Sequence, residues 1–423
     1  MTRQLKRTLR SSPFALALLT MMAACTAPLP QPTPFASPTP EPTATLEPTP
    51  TPQADVTVCA TGCNFATLQA AIDDPGTGSG AVIEVIDATH TEEGIVVDKS
   101  VTIRGQGVGS TVVQAHEIRG SGNDCVFFVP AEATVTIVGM TIRHGHPTDQ
   151  AKEGGGIHNE GTLTLENCLV SENNGSAGGG IHNEGTMMLI SSAVSGNVAE
   201  GTGGAYTGCG TGGGIKNMAG LLTLVNSTVS GNSSKGNGGG IFVACNGTLH
   251  LSNSTISGNV ATGGSGGGVY IRGAARLTNS TVSGNHAAGT GGGLYVRGSG
   301  EEGLVRGLLD FTNSIVANNT RGASYCCEDC VIGDYGTIGI NANNLIEDGS
   351  CSPEYSGDPR LGSLADNGGA TQTHALLPGS PAIDAVPVIS CTLTTDQRGE
   401  SRPVEIMSAE SGCDIGAFEL QPD

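Results

Sequence analysis

Gly154-Gly-Gly-Ile-His-Asn-Glu-Gly-Thr-Leu-Thr-Leu-Glu-Asn-Cys-Leu-Val-Ser-Glu-Asn-Asn-Gly175 is followed by Gly178-Gly-Gly-Ile-His-Asn-Glu-Gly-Thr-Met-Met-Leu-Ile-Ser-Ser-Ala-Val-Ser-Gly-Asn-Val-Ala199. The unit starts again at Gly212, Gly238, Gly266 and Gly291, so its spacings are 24, 34, 26, 28 and 25 residues. Self-similarity at this period is the mark of a solenoid. Inside each unit apolar and polar residues alternate over short runs that end at Asn, as in Leu163-Thr-Leu-Glu-Asn167, Leu222-Thr-Leu-Val-Asn226 and Leu249-His-Leu-Ser-Asn253. A second run follows, as in Ser227-Thr-Val-Ser-Gly-Asn232 and Ser254-Thr-Ile-Ser-Gly-Asn259. These are strands, too short and too interrupted by Gly and Asn to be helices. One coil per unit stacks parallel strands about 4.8 Å apart, and equivalent residues then form columns.

The inward column is aliphatic: Ile157, Ile181, Ile215, Ile241, Val269 and Leu294. Asn232, Asn259 and Asn285 are expected to hydrogen-bond along the stack, since Asn at a bend accepts left-handed backbone and offers both a donor and an acceptor. Calcium between turns would call for Asp there, and the coil turns have none. Ile83–Ile86, Ile95–Val97, Val101–Gly105 and Val135–Ile142 read as earlier coils. Before them, Phe65 to Ile72 has helical spacing, and a short amphipathic helix there would cover the open end of the stack. The fold class expected is all-β, a right-handed parallel β-helix solenoid with a short N-terminal capping helix and a loop-rich C-terminal cap segment.

Composition agrees. Aromatic residues make up 3% of the 423, Trp is absent and Gly reaches 66, as thin aliphatic layers between tight turns require. The formal charge of −20 repels nucleic acid, and no nucleic-acid partner is expected. Residues 1–24 carry Arg3, Lys6, Arg7 and Arg10, then the apolar run Phe14–Leu19, then Met22-Ala23-Ala24 before Cys25. The run is too short to span a bilayer, and the segment reads as a signal peptide. It resembles a bacterial lipobox, in which Cys25 is acylated and becomes the first mature residue. An ordinary secretory signal with an incidental Cys is the plainer alternative. Residues 25–54 hold ten prolines among Thr, Ala, Gln and Glu, a polyproline spacer. The boundaries are 1–24 signal, 25–54 lipidated Cys and linker, 55–345 β-helix and 346–423 tail. The expected location is extracytoplasmic, at the cell surface, with the membrane as partner through the lipid.

Setting Cys25 aside leaves 12 of the 13 cysteines, an even number for an oxidising compartment, where disulfides are the default. Cys59 with Cys63 and Cys391 with Cys413 are candidate pairs. The group Cys326, Cys327 and Cys330 with Cys351 reads as disulfide rather than zinc, because the spacing is wrong for a metal.

These coils resemble the pectin-lyase-like right-handed β-helix superfamily. The tail, Asp358-Pro-Arg-Leu-Gly, Asp366-Asn-Gly-Gly, Thr373-His374, Ser380-Pro-Ala-Ile-Asp384, Thr395-Asp-Gln-Arg398-Gly and Cys413-Asp-Ile-Gly-Ala-Phe-Glu419, resembles the "choice-of-anchor Q" family of bacterial surface proteins. That resemblance implies surface display without supplying an activity. The superfamily also contains polysaccharide lyases, which use clustered carboxylates for calcium plus an Arg or Lys base, and hydrolases that use grouped Asp residues as acid and base. Between Gln150 and Leu309 there is no Asp. The coil acids singled out are Glu160, Glu166, Glu172, Glu184, Glu200, Glu301 and Glu302, and no catalytic residue is assigned. A non-enzymatic adhesion or glycan-contact scaffold is the leading expectation, a lyase or glycoside hydrolase the alternative.

The residue after each inward aliphatic is His158, His182, Lys216, Phe242, Tyr270 or Tyr295, and two positions on lie Glu160, Glu184, Met218, Ala244, Arg272 and Arg297. Alternation sends both columns outward. Tyr270, Tyr295, Arg272 and Arg297 are candidate glycan contacts, with rings for sugars and guanidinium groups for carboxylate or sulfate. The bland account is a mixed solvated face. The His–Glu end has ligand types for a transition metal, but a lone His type per strand reads more simply as solvated surface, and no metal or cofactor is assigned. The tail acids Asp358, Asp366, Asp384, Asp396 and Asp414 are expected to cap turns and to pair with Arg398 and Arg402, a better reading of these Gly- and Pro-rich segments than the alternative of one cluster holding calcium.

Overall fold

The computed structural model describes residues 55–148, 153–202, 210–298, 307–322, 329–403 and 412–422. The expected signal, Cys25 and linker lie outside them, as do Cys326 and Cys327. The described residues fall in one compact unit, Pro52–Asp423. No helix among them is long and apolar enough to cross a membrane.

One coil runs through the strands Ile157–Asn159, Thr162–Glu166, Leu169–Ser171 and Asn174–Gly175. The next coil lies on it in parallel register, with Ile157 opposite Ile181, Leu163 opposite Met187, Val170 opposite Val194 and Gly175 opposite Ala199. Repetition builds three stacked sheets. The first two strands of each coil enter sheet A, the third sheet B and the fourth sheet C, with 18, 11 and 6 strands among the described residues. In two coils the first corner straightens, and single strands run Ile215–Val225 and Ile241–Ser252. The Gly-Gly-Gly corner is dictated by space. A methyl group on Gly155 would lie 2.4 Å from the Gly179 carbonyl oxygen of the next coil, a distance no side chain tolerates.

The expected inward column is in the core, with Ile157, Ile181, Ile215, Ile241, Val269 and Leu294 all 0% exposed. It continues into Cys330, which pairs in register with Leu294 and is disulfide-bonded to Cys351. The Asn ladder is present and longer than expected. Side-chain amides donate from Asn173 to Asn197, Asn232, Asn259, Asn285 and Asn319 in turn, each at 2.9–3.0 Å, and Asn319 donates to Asp329 at 2.9 Å. The left-handed bends belong to a different column, Asn167, Asn226, Asn253, Asn279, Asn313 and Asn343, with φ between +45° and +53°. The expectation that one set of Asn does both jobs is corrected. A left-handed bend turns its side chain away from the interior, whereas the ladder amides must point into it.

At the N-terminal end a helix spans Leu68–Asp73, with the Thr67 side chain accepting from Ala70 N–H. It starts later than the apolar spacing suggested, because Phe65 is held in a bridge to Val58. Leu68, Ala71 and Ile72 are buried on the core, and the Glu92 carboxylate accepts from the N–H groups of Leu68 and Gln69 at 2.7 and 3.0 Å. The parallel stack continues through Leu345–Ile346 and Tyr355–Ser356.

The tail does more than close the end of the stack. It runs back along the outer face of sheet B over four coils. The outward threonines of that sheet bind it: Thr228 Oγ1 donates to Gln372 O at 2.7 Å, Thr255 Oγ1 donates to Gln397 Oε1 at 2.7 Å, and Thr281 Oγ1 accepts from Ala417 N at 3.1 Å. Farther along, Asn313 Nδ2 donates to Ser390 O at 3.0 Å. Disulfides Cys59–Cys63 and Cys391–Cys413 form as expected. Disulfides are not general, since Cys168 is a free thiol in the apolar core. Burial pushes its pKa up to about 11, which leaves it inert.

Candidate functional site

Sheet A carries the outward column proposed from sequence, and the register is as expected: His158 opposite His182, Lys216 opposite Phe242, Tyr270 opposite Tyr295. Its exposure is not. His182, Lys216, Phe242 and Tyr270 are 0–5% exposed, so the reading of this column as a solvated face is corrected. Chain from the preceding unit lies over it. A methyl on Gly210, for example, would lie 2.0 Å from the Phe242 ring.

At the far end the aromatic residues form a small core of their own with Ala244. Phe242 and Tyr270 stack with centroids 5.2 Å apart, and Tyr270 and Tyr295 lie tilted at 5.1 Å. Burial raises the Tyr270 hydroxyl above its ordinary pKa, as does Tyr295, while Arg297 and Arg272 pull it down. Two stacked rings open to sugar are therefore excluded. Tyr295 alone is half-exposed, with the exposed Arg297 and half-buried Arg272 beside it. Arg297 faces Asp334 at 3.8 Å, both largely in solvent, a pairing worth little. Arg276, one strand further along the coil, pairs with Asp310 at 3.2 Å.

At the near end His158 and His182 stand edge to face, centroids 4.9 Å apart. His182 Nδ1 lies 3.0 Å from Glu153 and its Nε2 2.9 Å from Glu184, while His158 Nε2 is 3.7 Å from Glu160. Lys216, 3% exposed, pairs with the same Glu153. Burial alone would raise the Glu153 carboxyl, but hydrogen bonds and charge from His182 and Lys216 outweigh it and hold it at about 2. Beside His158 a cavity of about 170 Å³ is lined by Gly94, Val96, Asp124, Phe128, His158 and Glu160 among others.

The family described as the right handed beta helix region matches residues 99–278. The body of the chain is a right-handed parallel β-helix. Similar solved structures include a pectate lyase, Pel9A, at 15% identity over 84% of this chain and 91% of that one, with a TM-score of 0.49. A pectin methylesterase from carrot is 13% identical over 68% and 89%, TM-score 0.38, and a PL6 family alginate lyase, AlyGC, is 12% identical over 84% and 58%, TM-score 0.29. At these values the likeness does not extend to activity. No curated protein matches the chain.

One residue beside the coils escaped the sequence reading. Glu153 was not among the coil acids singled out, although it directly precedes Gly154, where the unit begins. The tail motifs are docking chemistry. Asp358 and Asp366 close turns on the N–H groups of Arg360 and Gly368. Asp396 is fully buried and holds Arg398 at 2.8 Å, and Arg398 covers the Phe418 ring at 3.7 Å. Arg402 pairs with Glu419 at 2.8 Å, both buried, where an Asp partner had been expected. Burial lifts the Asp414 carboxyl to about 6 and Glu419 to about 7, the latter against the pull of Arg402.

Proposed function

We propose that the protein is an exported, lipid-anchored surface scaffold that contacts acidic glycans through the Arg272, Arg297 and Tyr295 end of sheet A, without chemistry of its own. The observation that carries this is the pair of guanidinium groups flanking a rigid aromatic core on an otherwise acidic chain. Charge beyond about 8 Å is screened at physiological salt, so this local patch, rather than the net −20, governs an approaching carboxylate or sulfate. Arg297 exchanges its loose Asp334 partner for the ligand at small cost, and the edge of Tyr295 offers apolar contact to a sugar ring. Export is supported by the signal-like residues 1–25 and by three disulfides, which persist in oxidising compartments. The tail's resemblance to choice-of-anchor Q proteins points to surface display.

The test measures binding of the mature full-length chain to polygalacturonate, alginate and a neutral glucan. Acidic polymers are expected to bind in a salt-dependent manner. Arg272→Ala/Arg297→Ala is expected to weaken them tenfold or more, as loss of two charge-assisted contacts implies. Equal binding by the double variant sinks the assignment of the face. Release of unsaturated products from either acidic polymer shows a lyase and sinks the non-enzymatic reading.

A further inference from the structure

Gly-Gly-Gly-Ile-His-Asn-Glu-Gly-Thr occurs twice without change, at 154–162 and 178–186, and in none of the later coils. In register, His158 lies opposite His182, and Glu160 and Glu184 follow immediately after the two strands, so the two copies set four side chains in a square. Strands stand about 4.8 Å apart, and alternate residues share a face. We propose that this square binds one divalent transition-metal ion through His158, His182 and Glu184, with Glu160 at its edge. The inference does not depend on the glycan reading, which concerns the other end of the column.

The ligand atoms of His158, His182 and Glu184 all lie within 4.8 Å of one another. Around a tetrahedral zinc such atoms are about 3.4 Å apart, so the set closes by roughly an ångström. His182 Nε2 and Glu184 already stand 2.9 Å apart, so the closing is towards His158, and Glu184, with 48% of its side chain exposed, is free to follow. The stack holds the two histidines opposite each other. Between each His and its Glu, Asn159 and Asn183 point inward, and their amides hydrogen-bond across the coils at 2.7 Å.

Glu153 stands 3.0 Å from His182 Nδ1, close enough for its charge to orient the ring. A carboxylate beside one ring nitrogen favours the N–H there and leaves the lone pair of the other nitrogen for a metal. That lone pair then faces the Glu184 oxygen at 2.9 Å, and two acceptors at that distance need a cation or a proton between them. The rival arrangement is a buried imidazolium held by both carboxylates. Two imidazoles with carboxylate select zinc, nickel or copper over calcium or magnesium. Exposure of Glu160 and Glu184 at 41% and 48% leaves the site open to solvent on one side.

The probes are Zn²⁺ and Co²⁺, added to the chelator-treated full-length chain. The proposal expects saturable 1:1 zinc binding at micromolar Kd or tighter, by calorimetry and by competition with a chromophoric chelator. Co²⁺ is expected to show ligand-field bands without a thiolate charge-transfer band. His158→Ala and the conservative, half-exposed Glu184→Gln are each expected to weaken zinc at least tenfold, while circular dichroism stays that of the wild type. If His158→Ala does not fold, Glu184→Gln and the wild-type Co²⁺ spectrum decide alone. No saturable zinc binding, a thiolate band, or unchanged affinity in Glu184→Gln overturns the proposal, the first in favour of the buried imidazolium.

Discussion

The buried Asn ladder makes a demand on direction that substitution exposes. Asn259 is fully buried and uses its whole amide. Its Oδ1 accepts from Asn232 N and Nδ2 at 3.0 and 2.9 Å, and its Nδ2 donates to Val229 O and Asn285 Oδ1 at 3.0 and 2.9 Å. In Asn259→Ala, Asn232 Nδ2 keeps a bond to Val194 O and Asn285 Oδ1 keeps one from Asn259 N. Asn232 N–H loses its partner, and Val229 C=O, which lies in the strand of sheet B paired with Thr255–Ser257, loses one bond. At about 1–3 kcal/mol for the buried donor left unsatisfied and about 1 kcal/mol for the other bond, the loss is roughly 2–4 kcal/mol. With an m-value near 3 kcal/mol/M, the urea midpoint falls by about 1 M. Asn259→Asp is expected to be worse at pH 7, because a carboxylate oxygen then faces two acceptors with no proton to give. It should recover in part at pH 4–5, where a protonated carboxyl donates one bond. At the end of the ladder a carboxyl group takes the Asn position: Asp329 Oδ1 accepts from Asn319 N and Nδ2 at 3.1 and 2.9 Å, and its Oδ2 accepts from Asp348 N at 3.3 Å, so neither oxygen has to donate to a further rung. Asp329→Asn gives up only the acceptor for Asp348 N–H and is expected to cost about 1 kcal/mol. Urea unfolding followed by circular dichroism measures all three. An Asn259→Ala midpoint unchanged within error, or Asn259→Asp as stable as Asp329→Asn at pH 7, refutes the directional ladder.

Three further outcomes are expected. Asp329, Asp414 and Glu419 have folded pKa values raised to about 6, 6 and 7, so their neutral forms favour the fold. That stability is complete below about pH 4 and is lost as pH rises through 6–7, whereas the contribution of Glu153, held at about 2, is complete above its ordinary pKa and is lost progressively as pH falls from there through 2. The melting temperature should rise from pH 8 to pH 5, and a steady fall over that range counts against the burial of these acids. Tyr270→Ala removes a side chain that is 5% exposed and stacked on Phe242, and should cost roughly 3 kcal/mol in urea unfolding. Tyr295→Ala should cost less than half of that, and equal losses would contradict the placement of Tyr270. Cys25→Ser should move the protein from membrane to soluble fractions in its native host, and retention in the membrane refutes the lipid anchor.

The interior of this fold was legible because it repeats with a local period. Ile157, Ile181 and Ile215 fall in one column as soon as Gly-Gly-Gly is aligned, and each must face inward whatever the rest of the chain does. The tail was legible only as a set of motifs. That Gln397 spans Thr228 and Thr255 depends on contacts 169 and 142 residues away in the chain, which no spacing encodes. The outward column failed for a related reason. Alternation tells which side of a strand leaves the stack, but whether that side meets water depends on where other chain is laid over it. Gly210 sits over Phe242, Glu153 reaches His182 and Lys216, and a methyl on Gly333 would lie 2.6 Å from the Tyr295 hydroxyl. These covering residues sit beside the repeats rather than within them. The same geometry that removed Tyr270 from the surface placed His182 between two carboxylates, so the error about exposure and the evidence for a metal site have one cause. A column read as solvated has no reason to hold charges in fixed positions, and a covered one does.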